Sequence, residues 1–239
     1  MAPRTSSTGP GSRPPSDPTL RVERRLLRTH GTLLAIDECG RGALSGPVFC
    51  GAVLIGDTTP RYPHGLRDSK LLSARRREEL VPQVRTWALA SGTGSASAEE
   101  IDRYGIIAAL RLAALRAAGA LLPVSPRPGV ILLDGPHDWI STEPCVPGHG
   151  FSEITGFPLP QPTVVTRVRG DRECAALAAA SVLAKVARDA LMVDLDNLHP
   201  GYGWSVNKGY ASPAHIEALR RLGPSPEHRR SWNLPGVGE

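Results

Sequence analysis

Two apolar runs near the start of the chain, separated by a glycine-rich segment, constrain the fold more than any other feature. Residues 33–36 and 48–55 are rich in aliphatic and β-branched residues, and CGRGALSGP lies between them. This pattern is typical of two strands joined by a tight loop. Asp37 and Glu38 follow the first run directly. Because burying two like charges is costly unless a cation compensates, this pair must either face water or hold a metal ion.

The middle of the chain alternates between helical and strand-like patterns. Residues 68–88 carry apolar side chains at helical spacing, and a strand is expected near 87–95. Ser97 and Glu100 form a capping-box pattern, and the Ala- and Leu-rich run behind them predicts one helix over 97–122. This alternation is typical of an α/β chain.

The second half of the chain supplies two more strand-like segments, each leading to an acid. GVILLDG predicts a strand ending in Asp134, and PTVVTRVRGD predicts one ending in Asp171. The Pro- and Gly-rich stretch 137–160 between them is expected to form an extended surface loop. A long helix with a face of small residues is expected over 174–198, and a last short helix over 212–223. The order of these elements predicts an α/β layered fold.

The first twenty residues differ in composition from the rest of the chain. Almost all of them are Pro, Ser, Thr, Gly or Arg, which offer too little apolar surface to offset the entropy of ordering. We therefore expect residues 1–20 to form a disordered tail. A single domain is expected over 21–235, opening with Arg-rich residues that lead into the first strand.

Charge, cysteines and hydropathy narrow the class of protein. The net charge of +5 favours a polyanionic partner, although basic enzymes that never touch nucleic acid are common. The four cysteines form no C-x-x-C pair and no zinc-finger spacing, which favours a reduced, cytoplasmic protein. No apolar run is long enough to cross a bilayer. We expect a soluble monomer with no membrane partner.

Four acids follow the ends of apolar, strand-like runs: Asp37, Glu38, Asp134 and Asp171. In α/β sheets, strand ends are where functional groups converge. A role in shaping a turn explains Asp134 or Asp171 alone about as well, but it explains the adjacent pair poorly. Oxygen ligands without His or Cys select Mg²⁺ or Mn²⁺, and carboxylates around such ions are the usual apparatus of phosphodiester hydrolysis.

Seven motifs carry a specific resemblance to one enzyme family. DECGRGALSGPV, DSKLLS, SAEEIDRYGI, LLDG, RGDRECAALAAASVLAKVARDALM, YGWSVNKGYASPAHIEAL and HRRSW occur in the order and approximate spacing of bacterial ribonuclease HII, a type 2 ribonuclease H. The resemblance spans residues 33–232. It implies a ribonuclease H-like fold, with a mixed five-stranded sheet flanked by helices and a helical C-terminal extension.

The resemblance also implies an activity and a set of metal ligands. The family cleaves the RNA strand of RNA–DNA hybrids and cuts 5′ to single ribonucleotides embedded in duplex DNA, leaving 5′-phosphates. These two nucleic acids are therefore the expected partners, and no clamp-binding peptide is evident in the C-terminal LPGVGE. The family's catalytic, metal-binding acids fall on Asp37, Glu38, Asp134 and Asp171, which would hold Mn²⁺ or Mg²⁺.

Gly40, Arg41 and Gly42 match the family's segment for sensing the substrate sugar. Without a Cβ, the glycines let the backbone approach the ribose 2′-hydroxyl, the group that separates RNA from DNA. The tripeptide alone is equally typical of a tight turn, and only its position beside the acids favours a role in binding.

Tyr210 and the D-S-K segment match further positions that the family uses for substrate. Tyr210 falls on the tyrosine that packs against the sugar following the ribonucleotide, with a half-buried core ring as the alternative. Ser69 and Lys70 match residues near the active site, where Lys70 would meet a substrate phosphate, with a helix-capping turn as the alternative. Lys185 and Arg188, on the long helix, are expected to lie on a solvated face.

The sequence departs from the family pattern at Asn207, and other functions compete with the one that the resemblance implies. Asn207 stands where histidine is common in the family, so no proton-transfer role is carried over to it. A non-catalytic nucleic-acid-binding module is the rival of a different class, and loss of one acid would favour it. Transposases and Holliday-junction nucleases share the acids but not the Gly-Arg-Gly and tyrosine combination. Ribonuclease HIII has an extra N-terminal domain, whereas only a short tail precedes Leu33.

Overall fold

A mixed sheet of five strands forms the centre of the structure. The computed structural model describes residues 17–121, 126–141 and 161–237. The strands are β1 (Thr32–Cys39), β2 (Val48–Gly56), β3 (Ala90–Ala96), β4 (Val130–Asp134) and β5 (Thr163–Arg167). They lie in the order β3-β2-β1-β4-β5. β2 is antiparallel to β1 and β3, whereas β1, β4 and β5 are parallel. The predicted α/β fold with a mixed five-stranded sheet is therefore confirmed.

Helices cover both faces of this sheet. Within the described residues they are α1 (Arg21–His30), α2 (Ala74–Trp87), α3 (Ala98–Tyr104), α4 (Ile106–Gly119), α5 (Gly170–Glu173), α6 (Ala175–Leu198), α7 (Trp204–Asn207) and α8 (Pro213–Leu222). Leu34 and Ile36 of β1 pack into one core with α3 and α4, whereas Leu33 and Ala35 pack into another with α1, α2 and α6. Successive side chains of β1 thus alternate between two cores, as a strand between two helical layers requires.

Small residues allow α6 to lie unusually close to the sheet. A Cβ built on Gly51 of β2 would stand 2.1 Å from the carbonyl oxygen of Ala180 on α6. Only glycine fits at this contact. The face of small residues predicted for this helix therefore packs on the sheet as expected.

The C-terminal part of the chain adds a third apolar cluster beyond the sheet. α7 and α8 pack against the second half of α6, where Met192 and Leu195 meet Trp204 and Leu219. Trp204 is fully buried and stacks on the ring of Tyr202, with 5.0 Å between ring centroids. This is the helical C-terminal extension that the resemblance implies.

A buried glutamate joins α1 to the start of α6. α6 has no side-chain cap of its own, and Oε1 of Glu23 accepts a hydrogen bond of 2.9 Å from the amide of Ala176. Burial raises the pKa of Glu23 to about 7. Its second oxygen, Oε2, has no hydrogen-bond partner among the described residues. A carboxyl group from α1 therefore caps α6, but only half of that group is satisfied.

The structure corrects two predicted helix boundaries. The single helix predicted over 97–122 is wrong, because Gly105 has a φ of 79° and separates α3 from α4. This left-handed conformation is open to glycine and ends a helix. The Arg-rich residues expected simply to lead into the first strand form α1 instead.

Residues 17–20, which the sequence places in the tail, contact the domain. The amide of Thr19 donates to the carbonyl of Glu173 at 2.9 Å, the amide of Ala175 donates to the carbonyl of Thr19 at 3.1 Å, and Leu20 is buried. The rest of the predicted tail, and most of the predicted loop over 137–160, lie outside the described residues.

Candidate active site

Three aspartates meet at the carboxyl ends of the parallel strands. Asp37 lies near the end of β1, and Asp134 is the last residue of the neighbouring strand β4. One carboxylate oxygen from each, together with one from Asp171, lie within 4.8 Å of one another. Residues far apart in the chain are brought together because parallel strands end at the same edge of a sheet.

Asp171 reaches this cluster from a short helix. The predicted strand ending in Asp171 is wrong, because β5 ends at Arg167. Arg169 then adopts a left-handed conformation with a φ of 56°, and the chain turns into α5. The amide of Gly170 donates a hydrogen bond of 2.6 Å to Oδ1 of Asp134. The turn therefore both delivers one acid and holds another.

Burial raises the pKa of all three aspartates, and repulsion from Asp134 adds to this shift for Asp37 and Asp171. Burial moves the pKa of Asp37 well above its ordinary value, and the charge of Asp134 raises it further. Burial raises the pKa of Asp171 to about 6, again with a contribution from Asp134. Nζ of Lys70 lies 3.9 Å from Oδ2 of Asp171, but this lysine side chain is 77% exposed. The cluster holds more negative charge than its neighbours neutralise, which is the condition that favours a bound divalent cation.

Glu38, the fourth predicted acid, stands apart from the three aspartates in this structure. Its Oε1 lies 3.8 Å from Nη1 of Arg41, and its side chain is one-fifth exposed. Burial raises the pKa of Glu38, with the charge of Asp134 adding to the effect. Glu38 therefore remains within electrostatic reach of the cluster while facing the adjacent cleft.

An open cleft of about 420 Å³ adjoins the acids. The six residues predicted to bind substrate all line it: Gly40, Arg41, Gly42, Ser69, Lys70 and Tyr210. Glu38, Cys39, Ser181 and Lys185 complete the lining. Segments that are distant in the chain thus form one surface beside the carboxylates.

The D-S-K segment forms a turn and also lines the cleft. The carboxylate of Asp68 accepts a hydrogen bond of 2.9 Å from the amide of Lys70, as a capping turn requires. The hydroxyls of Ser69 and Ser181 lie 2.8 Å apart. The two interpretations of this segment are therefore compatible, since the turn presents Lys70 to the site. Ser181, on α6, has no sequence signature and was missed.

Arg229 binds the carbonyls of the Gly-Arg-Gly loop. Its guanidinium is fully buried and donates to the carbonyl oxygens of Gly40 at 2.7 Å, Arg41 at 2.8 Å and Gly46 at 3.1 Å. Burial lowers the pKa of Arg229 to about 9. The HRRSW motif contributed to the resemblance, but nothing in its sequence indicated this contact.

Arg188 holds the other side of the same loop, so the predicted solvated face is wrong for this residue. It is fully buried and donates to the carbonyls of Pro47 at 2.9 Å and Lys208 at 2.8 Å. A Cβ on Gly40 would lie 2.0 Å from Nε of Arg188. Glycine is therefore required where the loop crosses this arginine.

Tyr210 stands at the rim of the cleft and is held by its neighbours. Its side chain is 39% exposed, and the guanidinium carbon of Arg188 lies 5.4 Å from its ring centroid. The carbonyl of Tyr210 is 2.9 Å from Nδ1 of the buried His215. Among the described residues, the side chain of Asn207 bonds to backbone groups. Its Nδ2 donates to the carbonyl of Tyr202, and its Oδ1 accepts from the amide of Gly209.

Comparison with known proteins agrees with this arrangement. The family model described as Ribonuclease HII matches residues 34–234. The chain belongs to the ribonuclease HII family. It is 46% identical to Ribonuclease HII of Streptomyces coelicolor over 92% of this chain and 85% of the relative. It is 42% identical to that of Paracoccus denitrificans over 90% and 91%, respectively.

Solved structures show the same fold. Ribonuclease H2 from Pyrococcus horikoshii OT3 aligns with a TM-score of 0.63 at 23% identity, over 85% of this chain and 95% of that one. RNase HII of Archaeoglobus fulgidus, solved in complex with PCNA, aligns with a TM-score of 0.61 at 25% identity, over 84% and 93%. Bst-RNase HIII in complex with Mn²⁺ aligns with a TM-score of 0.59 at 16% identity, over 88% and 67%.

Membership of the family gives the activity. The chain is an endoribonuclease that acts on RNA–DNA hybrids and depends on a divalent metal ion. Among the described residues, no helix is long and apolar enough to span a membrane.

Proposed function

We propose that Asp37, Glu38, Asp134 and Asp171 are the catalytic metal ligands and that the cleft beside them binds the strand to be cut. The observation that carries this proposal is the set of three carboxylates within 4.8 Å of one another, each with a pKa raised by burial. Their ligand set consists of oxygen alone, which fits Mg²⁺ or Mn²⁺.

Bound ions of this class polarise the phosphodiester and lower the pKa of attacking water. Asp134, fixed by the Gly170 amide, and Asp37, fixed by burial, supply rigid ligands for them. Glu38 lies at the boundary between acids and cleft, where it would share a ligand role with the aspartates. Lys70, on its capped turn, places an exposed ammonium where a substrate phosphate would lie.

The Gly-Arg-Gly loop is proposed to read the ribose. Arg229 occupies the carbonyls of Gly40 and Arg41, so these peptide units are fixed with their carbonyls turned inward. The opposite edge of the loop lines the cleft, where backbone amides would meet the 2′-hydroxyl. Tyr210 lines the same cleft with a partly exposed ring, which suits stacking on the following deoxyribose.

Cleavage 5′ to a single ribonucleotide within duplex DNA, which is typical of the family, is the activity that we propose for this site. Only one sugar needs to be recognised by the loop, since the cleft is lined by one such segment in the described residues. We propose a monomer as the active unit. A nucleic-acid substrate also supports a cytoplasmic location.

The test is cleavage of a labelled duplex containing one ribonucleotide, with Mg²⁺, with Mn²⁺ and with EDTA. We expect one cut, 5′ to the ribonucleotide, that leaves a 5′-phosphate and requires either ion. A matched all-DNA duplex is the control and should stay intact. Cleavage in EDTA, or cutting of the all-DNA duplex at the same rate, would contradict the proposal.

A further inference from the structure

A second cleft, outside the proposed active site, is lined by four arginines. Arg21, Arg24 and Arg28 contribute from α1, at the spacing that places side chains on one helix face, and Arg61 completes the set. The cleft is open and has a volume of about 590 Å³. We refer to these four residues as the arginine cleft.

The charge of the arginine cleft is not neutralised within the described part of the chain. All four side chains are exposed, and no carboxylate described here lies within 4.0 Å of their guanidinium nitrogens. Glu23, the single acid of α1, points inward and is fully buried. By contrast, Arg67 and Arg172, nearer the acids, pair with Asp17 and Asp68, respectively. Unpaired cations therefore concentrate in the cleft.

The arginine cleft begins beside the active-site edge of the sheet. Thr19, which also lines the cleft, bonds to Glu173, two residues beyond Asp171. At its other end α1 reaches the opposite edge, where the carbonyl of His30 contacts Gly129 ahead of β4. Arg21 and Arg28 are seven residues apart, which corresponds to about 10 Å along the helix. The row of arginines on α1 therefore leads away from the acids over roughly that distance.

We propose that the arginine cleft binds backbone phosphates of the nucleic acid on one side of the cleavage point. This rests on the proposed function, because the bound strand must pass the acids before it reaches α1. Guanidinium groups bind phosphate oxygens strongly and bidentately. Phosphates of one strand follow each other at about 3.4 Å along the duplex axis, so a row of about 10 Å faces roughly three of them. An acidic protein is the rival partner, but the contact of Thr19 with Glu173, two residues from Asp171, places the cleft beside the proposed active site and favours nucleic acid.

The test measures affinity as a function of salt for a duplex containing one ribonucleotide, in EDTA so that the strand stays intact. The variant Arg24→Gln/Arg28→Gln should bind about tenfold more weakly at low salt. Its slope of log K against log salt should be smaller by about 0.9 for each phosphate that the variant no longer binds. Arg25→Gln is the matched control, because Arg25 is exposed on the same helix but does not line the cleft. This control should bind nearly as wild type.

Shortening the duplex arms separately locates the phosphates that the cleft binds. When the arm that runs along α1 is cut back to two base pairs, wild type and the double variant should bind equally, whereas shortening the other arm should preserve their difference. Equal affinities on the full-length duplex would overturn the proposal and leave the cleft to an acidic protein partner. A loss of affinity no larger than that of Arg25→Gln would also overturn it.

Cleavage of the short-armed duplex separates this proposal from the proposed function. With Mg²⁺ present, the double variant should cut that substrate as fast as wild type, because the acids and the Gly-Arg-Gly loop are untouched. If neither protein cuts it at the ribonucleotide, the proposed function fails, whatever the affinity measurements show about the arginine cleft.

Discussion

The carboxylate cluster and the Gly-Arg-Gly loop lie side by side but differ in the sign of their charges and in how those charges are compensated. Asp37 and Asp171 are buried, Asp134 is partly buried, one exposed lysine lies nearby, and the pKa values of all three acids are raised. Arg188 and Arg229 are fully buried cations whose donors reach backbone carbonyls of the loop and its neighbours.

The difference shows which charged groups are compensated by the protein itself and which require a proton or a cation. The arginines are satisfied within the chain, because carbonyl oxygens accept the hydrogen bonds that each guanidinium offers. The aspartates are not satisfied, since their repulsion is relieved only by protons or by a cation. The hydrogen bonds that hold the loop are therefore made within the chain, whereas the repulsion among the carboxylates would be relieved by a bound cation.

The largest effect is expected when one carboxylate loses its charge. Asp37→Asn removes an anionic ligand, so kcat/KM on the single-ribonucleotide duplex should fall by about 1000-fold or more at saturating Mg²⁺. Its Tm without metal should stay level or rise, because repulsion in the cluster is reduced. Asp194→Asn, an exposed acid on α6, is the control and should keep full activity. Retained turnover in Asp37→Asn would show that this residue is no metal ligand.

Changing Arg229 to lysine tests how the Gly-Arg-Gly loop is held. The charge is kept, but the planar fork that reaches three carbonyls is removed. Without two of its charged hydrogen bonds, the free energy of unfolding should fall by about 3 kcal/mol or more. At temperatures where the variant is folded, kcat/KM should still fall at least tenfold. Arg103→Lys, on the surface of α3, is the control, and equal activity of the two variants would contradict the positioning role.

Glu23 is a third kind of buried charged group. Its carboxyl group accepts a hydrogen bond from an amide, and it forms no ion pair with any described residue. Its pKa is about 7 in the folded chain against 4.5 ordinarily, so the folded state keeps a proton that the unfolded state releases. Stability should therefore fall as pH rises from 4.5 to 7, by at most about 3 kcal/mol. Glu23→Gln should remove this dependence and be the more stable protein at pH 8. Urea unfolding of both proteins at pH 5 and pH 8 measures this difference in the free energy of unfolding. The same change with pH in wild type and Glu23→Gln would disprove the raised pKa of Glu23.

An effect smaller than that of Asp37→Asn is expected at Tyr210, which lines the cleft beside Arg188. Tyr210→Ala should lower kcat/KM on a single embedded ribonucleotide by about 1 to 3 kcal/mol, which is roughly ten- to over a hundred-fold. Tyr210→Phe keeps the ring above which Arg188 lies and should lose much less. Metal affinity should be unchanged in both variants. Equal losses would move the role to the hydroxyl, and no loss would leave the ring as a packing residue.

What the sequence predicted well depends on local patterns. The strands around Asp37 and Asp134 follow from apolar runs that end at acids, and parallel pairing then brings these ends together. The small-residue face of α6 likewise follows from composition. Motif spacing, rather than periodicity, placed the six cleft residues, because segments distant in the chain meet there.

What the sequence did not predict depends on partners far away in the chain. Arg188 looks like a solvated helix residue until the carbonyls of Pro47 and Lys208 are seen around it. Glu23 looks like an ordinary surface acid, yet it caps a helix that begins 152 residues later. The break at Gly105 was missed because the apolar pattern continues on both sides of it.

The pairing of β1 with β4 has a consequence for how the protein is made. Leu33 lies opposite Val130, and the adjoining contact between Thr32 and Gly129 spans 97 residues. Pairings of such sequence separation slow folding, because the intervening chain must be ordered first. During synthesis, Asp37 emerges long before Asp134 and Asp171, so the nascent chain holds its acids apart. The carboxylate cluster can therefore assemble only after residues 130–171 have been synthesised and β4 has paired with β1.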